Sequence, residues 1–140
     1  MPSQIQDSHT TVKFNWKLTE YSKLGCDHES GHFALGNLRW KVHIYPRGDS
    51  KALNSLSLFL VPVDKKKLPY AEFSFVVQSH TDSKNNVKRS EKHQFTSGRG
   101  NGWHEFMPLT QLLDRSKGYL QQDTVTIQVE VTCRTREARA

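Results

Sequence analysis

The chain has 140 residues, enough for one domain that buries a core without disulfides or a structural metal. Apolar residues make up only 35%, which fits a thin two-layer fold with polar outer faces, and no stretch approaches the roughly 20 apolar residues that span a bilayer. The formal charge of +6 gathers at Lys65–Lys67, at Lys84, Lys88, Arg89 and Lys92, and at Arg134, Arg136 and Arg139. Charge scattered over loops and a terminus favours encounters with acidic partners and nominates neither a membrane nor a nucleic acid.

From the N-terminus, Met1–Thr10 is polar and is expected to be disordered. It does not combine a charged start, an apolar run and a small-residue cleavage site, so a soluble cytoplasmic or nuclear setting is expected. Val12, Phe14, Trp16 and Leu18 alternate with Lys13, Asn15 and Lys17, the mark of a strand with one buried face. Leu38, Trp40, Val42 and Ile44 repeat the pattern until Pro46, which lacks the N–H a ladder needs. Strands are predicted over residues 55–62 and 70–78, with a shorter one at 93–96 and another over 125–131. Between them, residues 79–90 read as a long mobile polar loop. Pro108 followed by Leu109, Leu112 and Leu113 predicts one short helix that plugs an end of the fold. Strands of this length with turns between them predict a β-sandwich.

Within residues 55–61 the leucines at 56, 58 and 60 share one face, which places Ser55, Ser57 and Phe59 on the other. An aromatic ring among serines on the solvent side asks for cover, either from a loop of its own chain or from a partner.

Chemistry-bearing patterns are sparse. Cys26 and Cys133 form no framework and are expected to be free thiols. Cys26 with His28 and His32 matches no standard zinc spacing and lacks a fourth ligand. There is no Gly-x-Ser-x-Gly elbow, and the glycines at 98, 100 and 102 do not open a helix after a strand. No catalysis, cofactor, metal or small-molecule substrate is expected.

Seven marks run in order along the chain: Phe14-Asn15-Trp16; Ser30-Gly31-His32-Phe33; Trp40 to Gly48; Leu56 to Leu60; Ala71-Glu72-Phe73-Ser74-Phe75; Gly102-Trp103-His104-Glu105-Phe106; and Gly118 to Thr124. In this order and spacing, from about Val12 to Val131, the sequence resembles the meprin and TRAF homology (MATH) domain. The resemblance implies an all-β, TRAF-like antiparallel sandwich of seven or eight strands with one short helix. It divides the chain into a disordered segment 1–10, a MATH domain 11–133 and a basic tail 134–140. It further implies a shallow groove in which an extended peptide pairs with a strand.

The family's groove aromatics correspond to Phe59 and Phe73, although alternation sets Phe73 on the face of Phe75 and Val77. His93 stands where relatives carry a tyrosine, Arg99 at a basic position, and Arg47 at a peptide-holding arginine. Relatives that act on ubiquitinated proteins often read Asp-Trp-Gly-aromatic where this chain has Gly100-Asn101-Gly102-Trp103, so a pocket wall and a backbone anchor are missing. The expected function is recognition of short extended motifs for recruitment in ubiquitin signalling, by a domain monomeric in isolation. A self-associating scaffold with a degenerate groove is the alternative. Nucleic-acid binding through the basic loops is the weaker one, because no aromatic stripe runs between the charges.

Overall fold

The computed structural model describes residues 5–35, 37–64 and 69–138. Lys65–Lys67 lies outside them, as do Met1–Gln4 and the last two residues. Among the described residues, nine strands form two antiparallel sheets. One has four strands in the order β1 (Ile5–Leu18), β9 (Val125–Ala138), β6 (Tyr70–Val77), β7 (Val87–Gln94). The other is built on β2 (His28–Glu29), β4 (Leu38–Tyr45), β5 (Ser55–Pro62) and β8 (Asn101–Pro108), with β3 (Phe33–Leu35) also paired to β4.

The core lies between the sheets, where alternation sends one face of each inner strand. Trp40, Val42 and Ile44 of β4 and Leu56, Leu58 and Leu60 of β5 are fully buried. They face Phe75 and Val77 of β6 and Val125, Ile127, Val129 and Val131 of β9, equally buried. Burying each such side chain contributes roughly 1.5–3 kcal/mol, so these strands carry most of the driving force. A single helical turn, α1 (Leu109–Leu112), follows β8 and buries Leu112. Leu113, assigned to the same plug, remains 54% exposed because the helix ends before it.

The structure departs from the sequence reading in three places. β1 begins at Ile5, and its backbone pairs with β9 from Ile5↔Ala138 to Leu18↔Val125. Residues 5–10 and 133–138 are therefore partners in one ladder. That pairing is backbone-made, and apolar alternation does not report it. The polar loop stops at Asn86: residues 87–94 form an edge strand paired to β6 from Val77↔Val87 to Tyr70↔Gln94. Its side chains are almost all exposed, which is why periodicity missed it, and its charges suit an edge exposed to solvent. Residues 101–108 form a strand that alternation did not reveal, because β8 is bulged and turns both Phe106 and Met107 inward.

Both cysteines are free, as expected. Cys26 is exposed, whereas burial pushes the Cys133 thiol up to about 11. A thiol-reactive dye at neutral pH is expected to modify Cys26 promptly and Cys133 only after denaturant is added. Equal native reactivity would place Cys133 outside the core.

Candidate functional site

β5 presents different surfaces on its two sides. Opposite its buried leucines, Phe59 and Val61 turn outward and are only partly covered. Ser57, expected beside them in solvent, is fully buried. The register shift in β8 lays its chain over this serine, whose Oγ donates to the His104 carbonyl at 2.6 Å.

His43, Phe59 and Gly102 form one row across β4, β5 and β8. Gly102 approaches so closely that a Cβ would stand 2.1 Å from the Leu58 carbonyl oxygen. At Gly100 a Cβ would come within 2.8 Å of Val61 Cγ2 and 3.2 Å of Phe59 Cβ. The two glycines bring β8 onto β5 and keep the flank of the Phe59 ring clear of side chains from their own positions.

Other rings wall the opening. Phe59 stands edge-to-face with His104 at 5.0 Å and with Tyr45 at 6.0 Å, and Tyr45 stacks on His43 at 4.7 Å. They enclose a shallow cleft of about 190 Å³, completed by Asp49, Val61 and Gly100. Cofactors and drug-sized ligands occupy roughly 300 Å³ or more, so this cleft takes one side chain.

Each imidazole is held by a carboxylate. His43 Nε2 lies 2.8 Å from Asp27 Oδ2, and His104 Nδ1 bonds Asp49 Oδ2. An ionised carboxylate only accepts, so those ring nitrogens carry the protons and, in a neutral ring, the other nitrogen is an acceptor. Burial pushes the Asp49 carboxyl up, but bonds from His104 and the backbone of Lys51 and Ala52 outweigh it and hold the group below the usual carboxylate range. The Tyr45 phenol is raised, first by burial and then by the charges of Asp27, Asp49 and Glu29. His104 and Asp49 do not form a nucleophilic triad with Ser57, whose hydroxyl bonds the His104 carbonyl and not its ring.

The residues chosen from sequence divide into those at the cleft and those elsewhere. Phe59, Gly100 and Gly102 come together at the cleft. Asn101 and Trp103 pair with Leu60 and Leu58 on the inner face of the same strand. The Trp103 ring packs 5.6 Å from Phe73 and Phe106 and 5.9 Å from Phe75, so it supports the core. Phe73 is only 3% exposed, on β6 of the other sheet, and packs in the core on the face of Phe75. His93 also belongs to that sheet, edge-on to Phe95 at 4.7 Å. Arg47 is turned to its own chain, donating to the carbonyls of Leu24 and Gly25, and so positions the loop that carries Asp27. The Arg99 backbone N–H bonds Ser97 Oγ. Sequence reading missed His43, Tyr45, Asp49 and His104. The strand alternation of His43 and Tyr45 with Val42 and Ile44 marked two of them as outward, but Asp49 and His104 meet only through the fold.

A larger concavity of about 520 Å³ lies on the outer face of the four-stranded sheet, lined by Glu72, Ser74, Lys88, Lys92, Glu130 and Thr132 among others. It is polar, with charged and hydroxyl side chains in cross-strand rows, the ordinary make-up of a solvated sheet face. The smaller cleft is the better candidate because aromatic rings stand partly uncovered there.

The architecture is that of a TRAF-like β-sandwich. TRAF5 of Notothenia coriiceps superimposes with a TM-score of 0.71 over 85% of this chain and 72% of its own, at 19% identity, a likeness of fold alone. The family model described as "MATH domain" matches residues 13–131, and the chain belongs to the MATH domain family. Among curated proteins it is similar to ubiquitin C-terminal hydrolase 12 of Arabidopsis thaliana, 33% identical over 94% of this chain. It is also similar to a MATH domain and coiled-coil domain-containing protein of the same plant, 35% identical over 91% of this chain. The chain spans 12% of the length of the first and 41% of the second.

Gly102→Ala is expected to lower the unfolding free energy by about 2 kcal/mol or more in urea titrations, and Gly100→Ala by less, since only Gly102 meets backbone so closely. Equal, negligible effects would refute the close approach.

Asp49 is lowered in the folded state, so its bonds stabilise the fold above the unfolded carboxylate pKa and are lost as pH falls through the folded one. Asp49→Asn is therefore expected to unfold at a lower temperature than wild type at neutral pH. The gap should narrow as pH drops from about 7 to about 3. A gap independent of pH would contradict the assignment.

Proposed function

We propose that this domain recruits partner proteins by holding a short extended segment of them along β8, with a side chain seated beside Phe59. One observation carries the reading: a partly exposed aromatic ring walls an open cleft directly beside an edge strand. β8 ends its sheet, so alternate backbone N–H and C=O groups near residues 101–103 face away from β5 and can pair with an added strand. Further along, the Phe106 carbonyl already accepts from Arg89 Nε at 2.7 Å, which closes that part of the edge. The segment therefore lies against the first half of β8. Its alternate side chains point to the Phe59 cleft on one face and towards Trp103 on the other.

Covering the Phe59 ring contributes roughly 1.5–3 kcal/mol, and each backbone bond about 1 kcal/mol. After the cost of ordering the segment, micromolar affinity follows, near about −8 kcal/mol. The similarity to ubiquitin C-terminal hydrolase 12 supports placing this recruitment in the ubiquitin pathway, with the domain serving as the non-catalytic recognition part of a larger cytoplasmic or nuclear protein. The absent Asp-Trp pair alters the motif selected and leaves the mode of binding intact.

In pull-downs from cell extract analysed by mass spectrometry, Phe59→Ala is expected to lose the partners that wild type retains, with little change when salt is raised. Its unfolding free energy should fall by about 1 kcal/mol, against about 3–5 kcal/mol for a core ring such as Phe73. Retained partners, or a core-sized loss of stability, would sink the reading. Partners lost steeply with salt would point to phosphate contacts and nucleic acid instead.

A further inference from the structure

The cleft beside Phe59 is chemically one-sided. Its polar groups are two imidazoles already donating to carboxylates, a phenol, and the carboxylate of Asp49. Apart from the Tyr45 hydroxyl, what faces a ligand is the His104 ring nitrogen not bonded to Asp49 and the negative charge of Asp49, whose oxygens accept from His104 and the Lys51 backbone N–H, while His43 Nδ1 lies 4.0 Å from Glu29 Oε2. Asp49, whose side chain is only 11% exposed, lines the cleft, and Asp27, 55% exposed, bonds the His43 ring that lines it, so negative charge lies both in the cleft and beside it.

Two of the nearby cations are already engaged. Lys41 Nζ sits 2.6 Å from Glu29 Oε2, and the Arg47 guanidinium is bound to the Leu24 and Gly25 carbonyls. The raised Tyr45 phenol is consistent with this field, since three carboxylates contribute and no cation opposes them.

An acidic side chain would meet repulsion and find few donors. A neutral apolar one would leave the acceptors unpaired. A flat cation with several N–H donors satisfies both halves, stacking on the Tyr45 and Phe59 rings while donating to the acceptors around them. The volume of about 190 Å³ suits one such side chain and little more.

We infer that the cleft formed by His43, Tyr45, Phe59, His104 and Asp49 selects a basic side chain, arginine in preference to lysine, in the extended segment of the partner protein. This rests on the groove reading above and names what that groove reads. Phe59 supplies the surface common to any occupant, and Asp49 with Asp27 supplies the charge preference. Asp49 also positions the His104 ring, which in turn packs on Phe59.

The test uses pools of short extended peptides in which one position is fixed as Arg, Lys, Gln or Glu and the others are varied. The pools are bound to wild type, Asp27→Asn, Asp49→Asn and Phe59→Ala. At one position wild type is expected to retain Arg pools over Glu pools by about five-fold or more, with Lys between them. Asp27→Asn, a change at an exposed rim residue that leaves the core untouched, should reduce that ratio without abolishing binding of the Gln pools, and Asp49→Asn should reduce it further. Phe59→Ala should remove binding of every pool.

Equal retention of Arg and Glu pools, or a Glu preference, would overturn the arginine inference while loss of binding in Phe59→Ala kept the groove reading intact. So would a ratio unmoved by both Asp variants. Failure of wild type to bind any pool, or binding unaffected by Phe59→Ala, would overturn the groove reading and this inference with it.

Discussion

The close approach of β8 to β5 at Gly102 is the contact on which the rest of the site depends. With the Leu58 carbonyl where a Cβ would stand, no side chain fits there, and the two backbones lie against each other. That contact fixes the orientation of both strands at once. Trp103, next in sequence, is sent inward onto Phe73, Phe75 and Phe106, where it anchors β8 to the core. Outward, the missing side chain leaves Phe59 uncovered on one flank. A structural requirement for glycine and an open ring on the surface are the same fact seen from two sides.

This recasts the departure from the family's usual loop. An aspartate at 100 would press on Val61 and Phe59, so Gly100 is a packed glycine and not simply a lost anchor. The cleft is walled instead by His104, reached through the β8 bulge and held by Asp49. Two His–carboxylate pairs flank a Tyr–Phe surface, giving a cleft with aromatic walls and carboxylate charge behind them. Here packing, hydrogen bonding and charge converge on a single side-chain-sized recess beside an edge strand.

Much of the fold was legible because apolar alternation reports burial. The strands carrying Trp40, Leu58, Phe75 and Ile127, and the outward turn of Phe59, all follow from it. What alternation cannot report is backbone pairing between polar stretches. The edge strand 87–94 and the outer halves of β1 and β9 were missed for that reason. The bulge hid β8 by breaking the period of two and burying Ser57. Of the proposed site, Phe59, Gly100 and Gly102 were identifiable in sequence, whereas Phe73 and Arg47 had other partners. Asp49 and His104 lie 55 positions apart, and no local pattern could have joined them.

The most direct measurement is an amide-resolved NMR titration of the full chain with the tightest peptide recovered from the pools. The largest shifts are expected at residues 100–104, Phe59 and Tyr45, with slowed hydrogen exchange at alternate amides near 101–103. Shifts centred on Glu72, Ser74, Lys88 and Lys92, with residues 100–104 unmoved, would contradict it.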